Sequence, residues 1–400
     1  MQLNELSPYP GTEINSKNLE NFKNLIDPDI SRFIKKDYLS LKIGSPVSVK
    51  PHPAFIFASQ RGKFKTSLSA NQSALENFIS GLPFYESPNL SDKDAGIKLA
   101  FNMRYAYLGD SGYVTDMKWN LMDWTNETKD FSMDFSMKLM RFLFRTVQQP
   151  VPEVKQNRAD AYGAAFLSAL DAGSYSGLRA LIYANRDEAK PLNGWVYVPQ
   201  LERTQSLASF RDEDSLFGSD ILPTDFLSFS GSLVESTWRF IGTTYLLLPL
   251  YEHNKLKIFG RKSRSNEYRH VKFGGKASCF PSVDWQIRKV YILEGAMIDK
   301  ERKVQKRLFY LDAQTHVPMI WKIFGQNNKL WKIVISAYTS SDSHVPENAE
   351  TFAPIATAFS TIDIQTNRCT TVNMLTFVNS DEVKVRDFEM TRLSTGRRSR

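Results

Sequence analysis

Along much of the chain apolar side chains recur at every second position, and the positions between them are apolar too. The stretch Asn193–Ser206, NGWVYVPQLERTQS, sets Trp195 and Tyr197 on one side of a strand and Val196 and Val198 on the other. Trp238, Phe240 and Gly242 against Ile241 repeat the pattern, as do Met319, Trp321 and Ile323 against Ile320 and Phe324. An antiparallel strand with one wet face should alternate apolar with polar. These strands therefore need a cover on both faces, supplied by the protein or by something it carries.

The same patterning predicts strands over 117–124, 178–185, 194–199, 236–249 and 284–297. The segment 131–147 fits either a strand or a helical methionine stripe, and the strand is preferred. A meander follows over 304–312, 317–325 and 330–338, with polar breaks at AQTH and QNNK. Strands at 359–364 and 369–378 close the series around QTNR. Before residue 110 the pattern is irregular and partly helical. Asp27 followed by Pro28 predicts an N-cap and a short helix through Lys36. The proline-rich 41–55 reads as extended, 71–80 as a helix closed by Gly81, and Ser91 as the cap of a helix to about Leu108. On that last helix Ile97, Phe101 and Tyr105 share one face.

The fold class expected is mainly β with α, a large curved antiparallel sheet or barrel. A helical segment over 1–110 packs on a sheet over 111–400, in what reads as one continuous domain.

Composition adds little until the aromatics are counted. Hydrophobic residues make up 42% and charged residues 24%, a soluble balance, but aromatics reach 12%. No apolar run approaches the ~20 residues of a membrane helix. The N-terminus shows no signal-peptide pattern, so the chain reads as cytosolic or as a form whose leader is absent. The net charge is +8. Part of the excess lies in Glu252–Lys276 and in the final GRRSR, readable as solvated segments or as contacts for an anionic surface. No nucleic-acid module accompanies it, so nucleic acid is not an expected partner. Cys279 and Cys369 are too few for a framework or a zinc site; they read as two free thiols, or as one bridge in an oxidising compartment.

Catalytic patterns are missing: no nucleophile elbow, phosphate loop, HExxH or CxxC. The five histidines have no ligand spacing, and His316 reads as solvated in a hairpin turn. The acidic run Arg211–Asp225 lacks the spacing of a calcium loop. Ser219 and Asp220 read as turn residues bonded to backbone amides, and Asp225 as a turn cap. No metal, cofactor or enzymatic activity is expected. What the pattern does offer is apolar surface for a ligand cavity, with Trp119, Trp195, Tyr197, Trp238, Phe240, Trp285, Phe309, Trp321 and Trp331 as candidate lining residues.

Longer motifs sharpen this. GWVYVPQLERTQSL followed by FGSDILPTDF resembles the outer-membrane lipoprotein-sorting group at Trp195, Tyr197, Pro199, Arg203, Gly218, Ser219, Asp220 and Asp225. GLPF, LPLYEHN, Lys306–Ile333 and DFEMTRL are similar to the domain of unknown function 1329 family. The resemblance implies a fold like the lipoprotein carriers LolA and LolB: an unclosed β-barrel with helices plugging its mouth and a cavity for acyl chains. It further implies a periplasmic protein of a Gram-negative bacterium. Its expected partners are a lipid or other hydrophobic ligand, an RND-type inner-membrane transporter and an outer-membrane protein. An adaptor with a plugged cavity is the alternative role.

Overall fold

The computed structural model describes residues 10–155, 157, 160–207, 213–256 and 268–394. The final GRRSR and residues 257–267 of the basic stretch 252–276 lie outside them.

Four α-helices are present among the described residues: α1 (Pro28–Lys35), α2 (Pro53–Gly62), α3 (Ala95–Arg104) and α4 (Thr391–Ser394). The principal strands are β1 (Leu41–Ile43), β2 (Ser111–Asp123), β3 (Thr128–Arg141), β4 (Ala161–Asp171), β5 (Arg179–Asn185), β6 (Asn193–Val198) and β7 (Arg203–Ser206). They continue with β8 (Ser236–Leu248), β9 (Asp284–Met297), β10 (Lys306–Asp312), β11 (Pro318–Phe324), β12 (Leu330–Ser340), β13 (Pro354–Asp363) and β14 (Arg368–Val378). With two short strands, Glu13–Ile14 and Leu250–Tyr251, they form one 16-stranded sheet. Its order runs β1-β9-β10-β11-β12-β13-β14-β2-β3-β4-β5-β6-β7, with β8 also on β9. Pairing is antiparallel except for β1 on β9 and Leu250–Tyr251 on β12.

The sheet is strongly curved, and one short helix demonstrates it. Nine strand steps separate β8 from β4, about 43 Å if the sheet were flat. Helix α3 spans only ~15 Å. Yet Gly96, near its start, lies so close to the Trp238 backbone of β8 that a Cβ would sit 2.3 Å from that carbonyl oxygen. Tyr105, just past its end, stacks edge-on with Tyr162 of β4 at 5.2 Å. The sheet must curl around α3 without closing, and the face toward α3 is concave.

Both faces are dry. The convex face is covered by the N-terminal segment with α1 and by residues around 271–283, packed on Trp285, Ile287, Tyr310, Ile320, Ile333 and Ile335. Helix α1 starts as expected: the Asp27 carboxylate accepts from the Asp29 and Ile30 amides, with Pro28 at the first position. Asp27 also anchors the cover. It accepts from the Tyr310 hydroxyl at 2.6 Å and from Lys322 Nζ at 2.7 Å, and Asp29 takes a second Lys322 bond at 2.8 Å. Burial alone would lower the Lys322 ammonium, but the two carboxylates hold it above the usual lysine range. Tyr310 is raised by burial and by Asp27. Both groups therefore bind protons more tightly folded than unfolded. Their contribution is complete below about pH 10 and is lost as pH rises through the folded values. We expect the fold to weaken above pH 10, and Lys322→Met to flatten that alkaline limb. Thermal midpoints across pH 8–11 measure it; identical slopes in both proteins would refute it.

Several sequence expectations need correction. Residues 71–80 are not helical: Asn71 Oδ1 accepts from Ser69 Oγ and the Ser73 amide, and Gln72 and Asn77 take positive φ. This local turn chemistry competes with a helix and wins. The stretch 41–55 is not extended throughout: its last three residues open the helix Pro53–Gly62, because Pro53 occupies the first turn and His52 Nδ1 accepts from the Ala54 amide. The helix expected from Ser91 begins at Ala95 and stops at Arg104. Strand β4 escaped notice because its alanines and glycine have weak strand preference. They are small where β3 comes close: a Cβ on Gly163 would meet the Met140 carbonyl oxygen at 2.8 Å.

The cysteines are not free. Cys279, under the convex cover, is bonded to Cys369 of β14, with Cα atoms 6.0 Å apart. Spacing could not show this, because 90 residues separate them in sequence. No helix is long and apolar enough to cross a membrane among the described residues.

Candidate functional site

The concave face carries Met117, Trp119 and Leu121 from β2, Met133, Phe135 and Met137 from β3, and Phe309, Leu311, Trp321 and Ile323 from β10 and β11. Thioethers and flat rings of this kind repack around varied shapes. Of the nine aromatic candidates, Trp119, Trp238, Phe240, Phe309 and Trp321 meet here, and Trp331 packs at the margin with Nε1 donating to Asp363 at 2.9 Å. Three do not belong. Trp285 is in the convex core. Trp195 and Tyr197 pack with Tyr183, Phe388 and Leu393 beneath the C-terminal segment. The doubly apolar strand at 193–198 is thus covered on its aromatic side by the chain's own tail.

What lies on the concave face is an irregular connection, residues 216–233, which acts as a plug. Phe217 stacks on Phe135 at 5.1 Å and Phe226 lies 5.4 Å from Trp119. Phe229 meets Phe309 at 5.6 Å and Trp238 at 5.7 Å. The plug has no α-helix or strand, only short 3-10 turns, and Phe217 and Leu227 take positive φ. Its apolar content was visible in LFGSDILPTDFLSF, a loop as apolar as a strand. That signal should have marked a buried loop, since an exposed one would stay polar.

The family-motif residues hold the plug. Asp225 is no turn cap: its carboxylate takes the Arg307 guanidinium, at 2.7 Å from Nη2, and the Trp321 Nε1 hydrogen at 3.0 Å. All three side chains are buried. Asp220 accepts from Thr370 Oγ1 at 2.8 Å while its own amide donates back to that oxygen at 2.9 Å. Burial raises the Asp220 carboxyl, against the opposing pull of Lys332. Ser219 Oγ accepts from the Ile221 amide, as expected of a turn residue. Gly218 has φ +72°, which explains glycine there. Arg203 lies apart, exposed on β7.

Two residues that the sequence did not single out complete the attachment. Arg104 of α3 pairs with Glu188 at 3.2 Å and donates to the Gly231 carbonyl. Glu188 in turn accepts from the Leu233 amide at 3.1 Å. The acidic run is spread over separate partners: Glu213 on Arg302, Asp214 on Lys303 and Asp225 on Arg307. Asp212 falls outside the described residues, and no cluster of metal-ligating side chains occurs among them.

One open space adjoins this face. A cavity of about 230 Å³ lies at the rim between α2, the 82–87 loop and the β10–β11 turn. Tyr291, whose ring contacts Phe240 on the concave side, lines it. His316 also lines it and is half-buried rather than solvated; burial lowers its imidazole to about 4, so it is neutral near pH 7.

This open, curled sheet has counterparts among solved structures. The structure is similar to that of an outer membrane lipoprotein-sorting protein domain from Vibrio parahaemolyticus, at 14% identity and TM-score 0.50 over 76% of this chain and 100% of that one. A DUF1329 family protein from Desulfovibrio piger superposes at 13% identity and TM-score 0.48, over 74% and 96%. A LolA superfamily protein from Nitrosomonas europaea does so at 11% and 0.41, over 72% and 94%. No curated protein matches the chain. The chain itself belongs to the DUF1329 family, described as proteins of unknown function, whose model matches residues 13–393.

Proposed function

We propose that this protein is a non-catalytic carrier of a lipid or similar hydrophobic molecule, held on the concave face of its sheet. The observation that carries the reading is the cover of that face. A methionine- and tryptophan-rich surface spanning β2 to β11 is closed by helix α3 together with a loop, 216–233, that contains no α-helix or strand. Trp119 Nε1, buried beneath it, has no acceptor among the described residues. A buried donor without a partner costs ~1–3 kcal/mol, which a ligand oxygen would recover. The rim cavity would be the entrance, and shifting the plug would admit an acyl chain.

The disulfide supports an oxidising compartment, and with the family resemblance it favours the periplasm of a Gram-negative cell. Exchange with an RND-type transporter and an outer-membrane protein is the finer part of the reading, and co-purification from cross-linked envelopes tests it. A second reading, an adaptor whose concave face stays filled, is favoured by the plug's buried polar anchors.

Solvent extraction of gently purified protein, followed by mass spectrometry, separates the two. The carrier should release a stoichiometric lipid-like species, absent from a soluble control of similar size. A clean extract, repeated after incubation with envelope lipids, would refute the carrier and leave the adaptor.

A further inference from the structure

The rim around the cavity is unusual in what it exposes. Phe57 is 60% exposed, Phe64 86%, Ile79 65% and Leu90 69%. Single exposed apolar residues need no explanation, but a group of this size on one feature does. Contacts show that the pieces form one feature. Lys63 on the α2 side pairs with Glu86 at 2.5 Å, and Ser59 Oγ accepts from the Leu82 amide at 2.7 Å. Phe55 seats α2 on Tyr107 at 5.0 Å. Helix α2 and the 79–90 loop are therefore the two lips of the cavity, whose walls include Ile56 and Tyr85.

The charge on this rim has one dominant sign. From Tyr38 to Leu75 the chain holds Lys42, Lys50, Arg61, Lys63 and Lys65 and no acidic residue. Lys42 is taken by Asp284. Phe57 and Arg61 are four apart and share the outer face of α2, and Arg61 lies over the Phe57 ring at 5.7 Å. Lys63 lies over the Phe64 ring at 4.8 Å. Two acids oppose this balance: Glu86 on the second lip, which takes Lys63, and the exposed Glu76.

We propose that this rim seats on an anionic lipid bilayer, with Phe57 and Phe64 entering the interface and Arg61 and Lys65 meeting lipid phosphates. Long basic side chains reach outward to headgroups while their stems stay with apolar neighbours. The rim cavity would then open onto the membrane rather than onto water. The proposal deepens the carrier reading by assigning the face through which cargo passes. Its test does not depend on cargo being found.

The full chain would be sedimented with vesicles of phosphatidylethanolamine and phosphatidylglycerol, and with vesicles in which phosphatidylcholine replaces the phosphatidylglycerol. Binding is expected only to the anionic set, and to weaken between low salt and 0.5 M sodium chloride as surface charge is screened. Each basic residue near an anionic surface is worth roughly fivefold, so R61Q/K65Q should bind about 25-fold more weakly. F57S/F64S should also lose binding, by about tenfold or more, since lipid contact scales with buried apolar area. These side chains are at the surface, and an unchanged unfolding midpoint would confirm intact variants. Absence of wild-type binding, equal binding to both vesicle sets, or undiminished binding by either variant would each overturn the proposal. Vesicle binding with a cargo-free extract would leave this surface standing and defeat the carrier; extracted cargo without vesicle binding would do the reverse.

Discussion

Replacing Asp225 with alanine should destabilise the protein by roughly 3–5 kcal/mol, because removing one partner of a buried ion pair leaves the other charge uncompensated. The Arg307 guanidinium would remain under the plug with its carboxylate gone. Trp321 Nε1 would lose its acceptor in the same step. The loss should not be confined to global stability. The plug would lose its central charged anchor and keep Asp220–Thr370 and Arg104–Glu188 among its ties, so the concave aromatics should become accessible to a hydrophobic dye before unfolding. Urea denaturation followed by tryptophan fluorescence gives the first quantity, and dye binding in buffer the second. The double variant Asp225→Ala with Arg307→Met should recover part of the stability, since an apolar pair carries no stranded charge. An unchanged midpoint for the single variant would show that this anchor does not hold the plug.

Reducing the Cys279–Cys369 bond, or replacing both cysteines by alanine, is the second large effect. The bond joins positions 90 residues apart. In the chain-entropy account, closing such a loop in the unfolded state is worth roughly 4–5 kcal/mol. For a chain of this length that corresponds to a fall of about 5 °C in the unfolding midpoint. The effect should be local in origin, because Cys279 ties the 271–283 cover to β14 on the convex face, beside Phe280 and Trp124. Scanning the wild type with and without reductant, alongside the double variant, measures it. Coincident curves would mean that the bond does not form or does not stabilise.

Where the pattern in the chain was strong, the sheet was legible. The meander over β10, β11 and β12 and the β13–β14 hairpin follow directly from alternation broken by polar turns. Doubly apolar strands announced that both faces would be covered. The site was legible only in part. Trp119, Trp238, Phe240, Phe309 and Trp321 do converge, but Trp195 and Trp285 are equally aromatic and point elsewhere. Alternation tells which residues share a face of one strand; it does not tell which face of the sheet curls inward. That depends on the distant packing of α3 between β8 and β4.

By itself, then, the sequence determined the class of structure and the demand for two dry faces, because period-two patterning and turn chemistry act over a few residues. The tertiary structure alone decided what meets that demand: the N-terminal cover and disulfide outside, the 216–233 plug inside, and the C-terminal segment over Trp195. It also decided the partners of the buried charges. Asp225 and Arg307 are 82 residues apart, and Asp27 and Lys322 are 295 apart. No local pattern encodes those pairs, since each becomes favourable only after the sheet has curled and excluded the water that would otherwise solvate both ions.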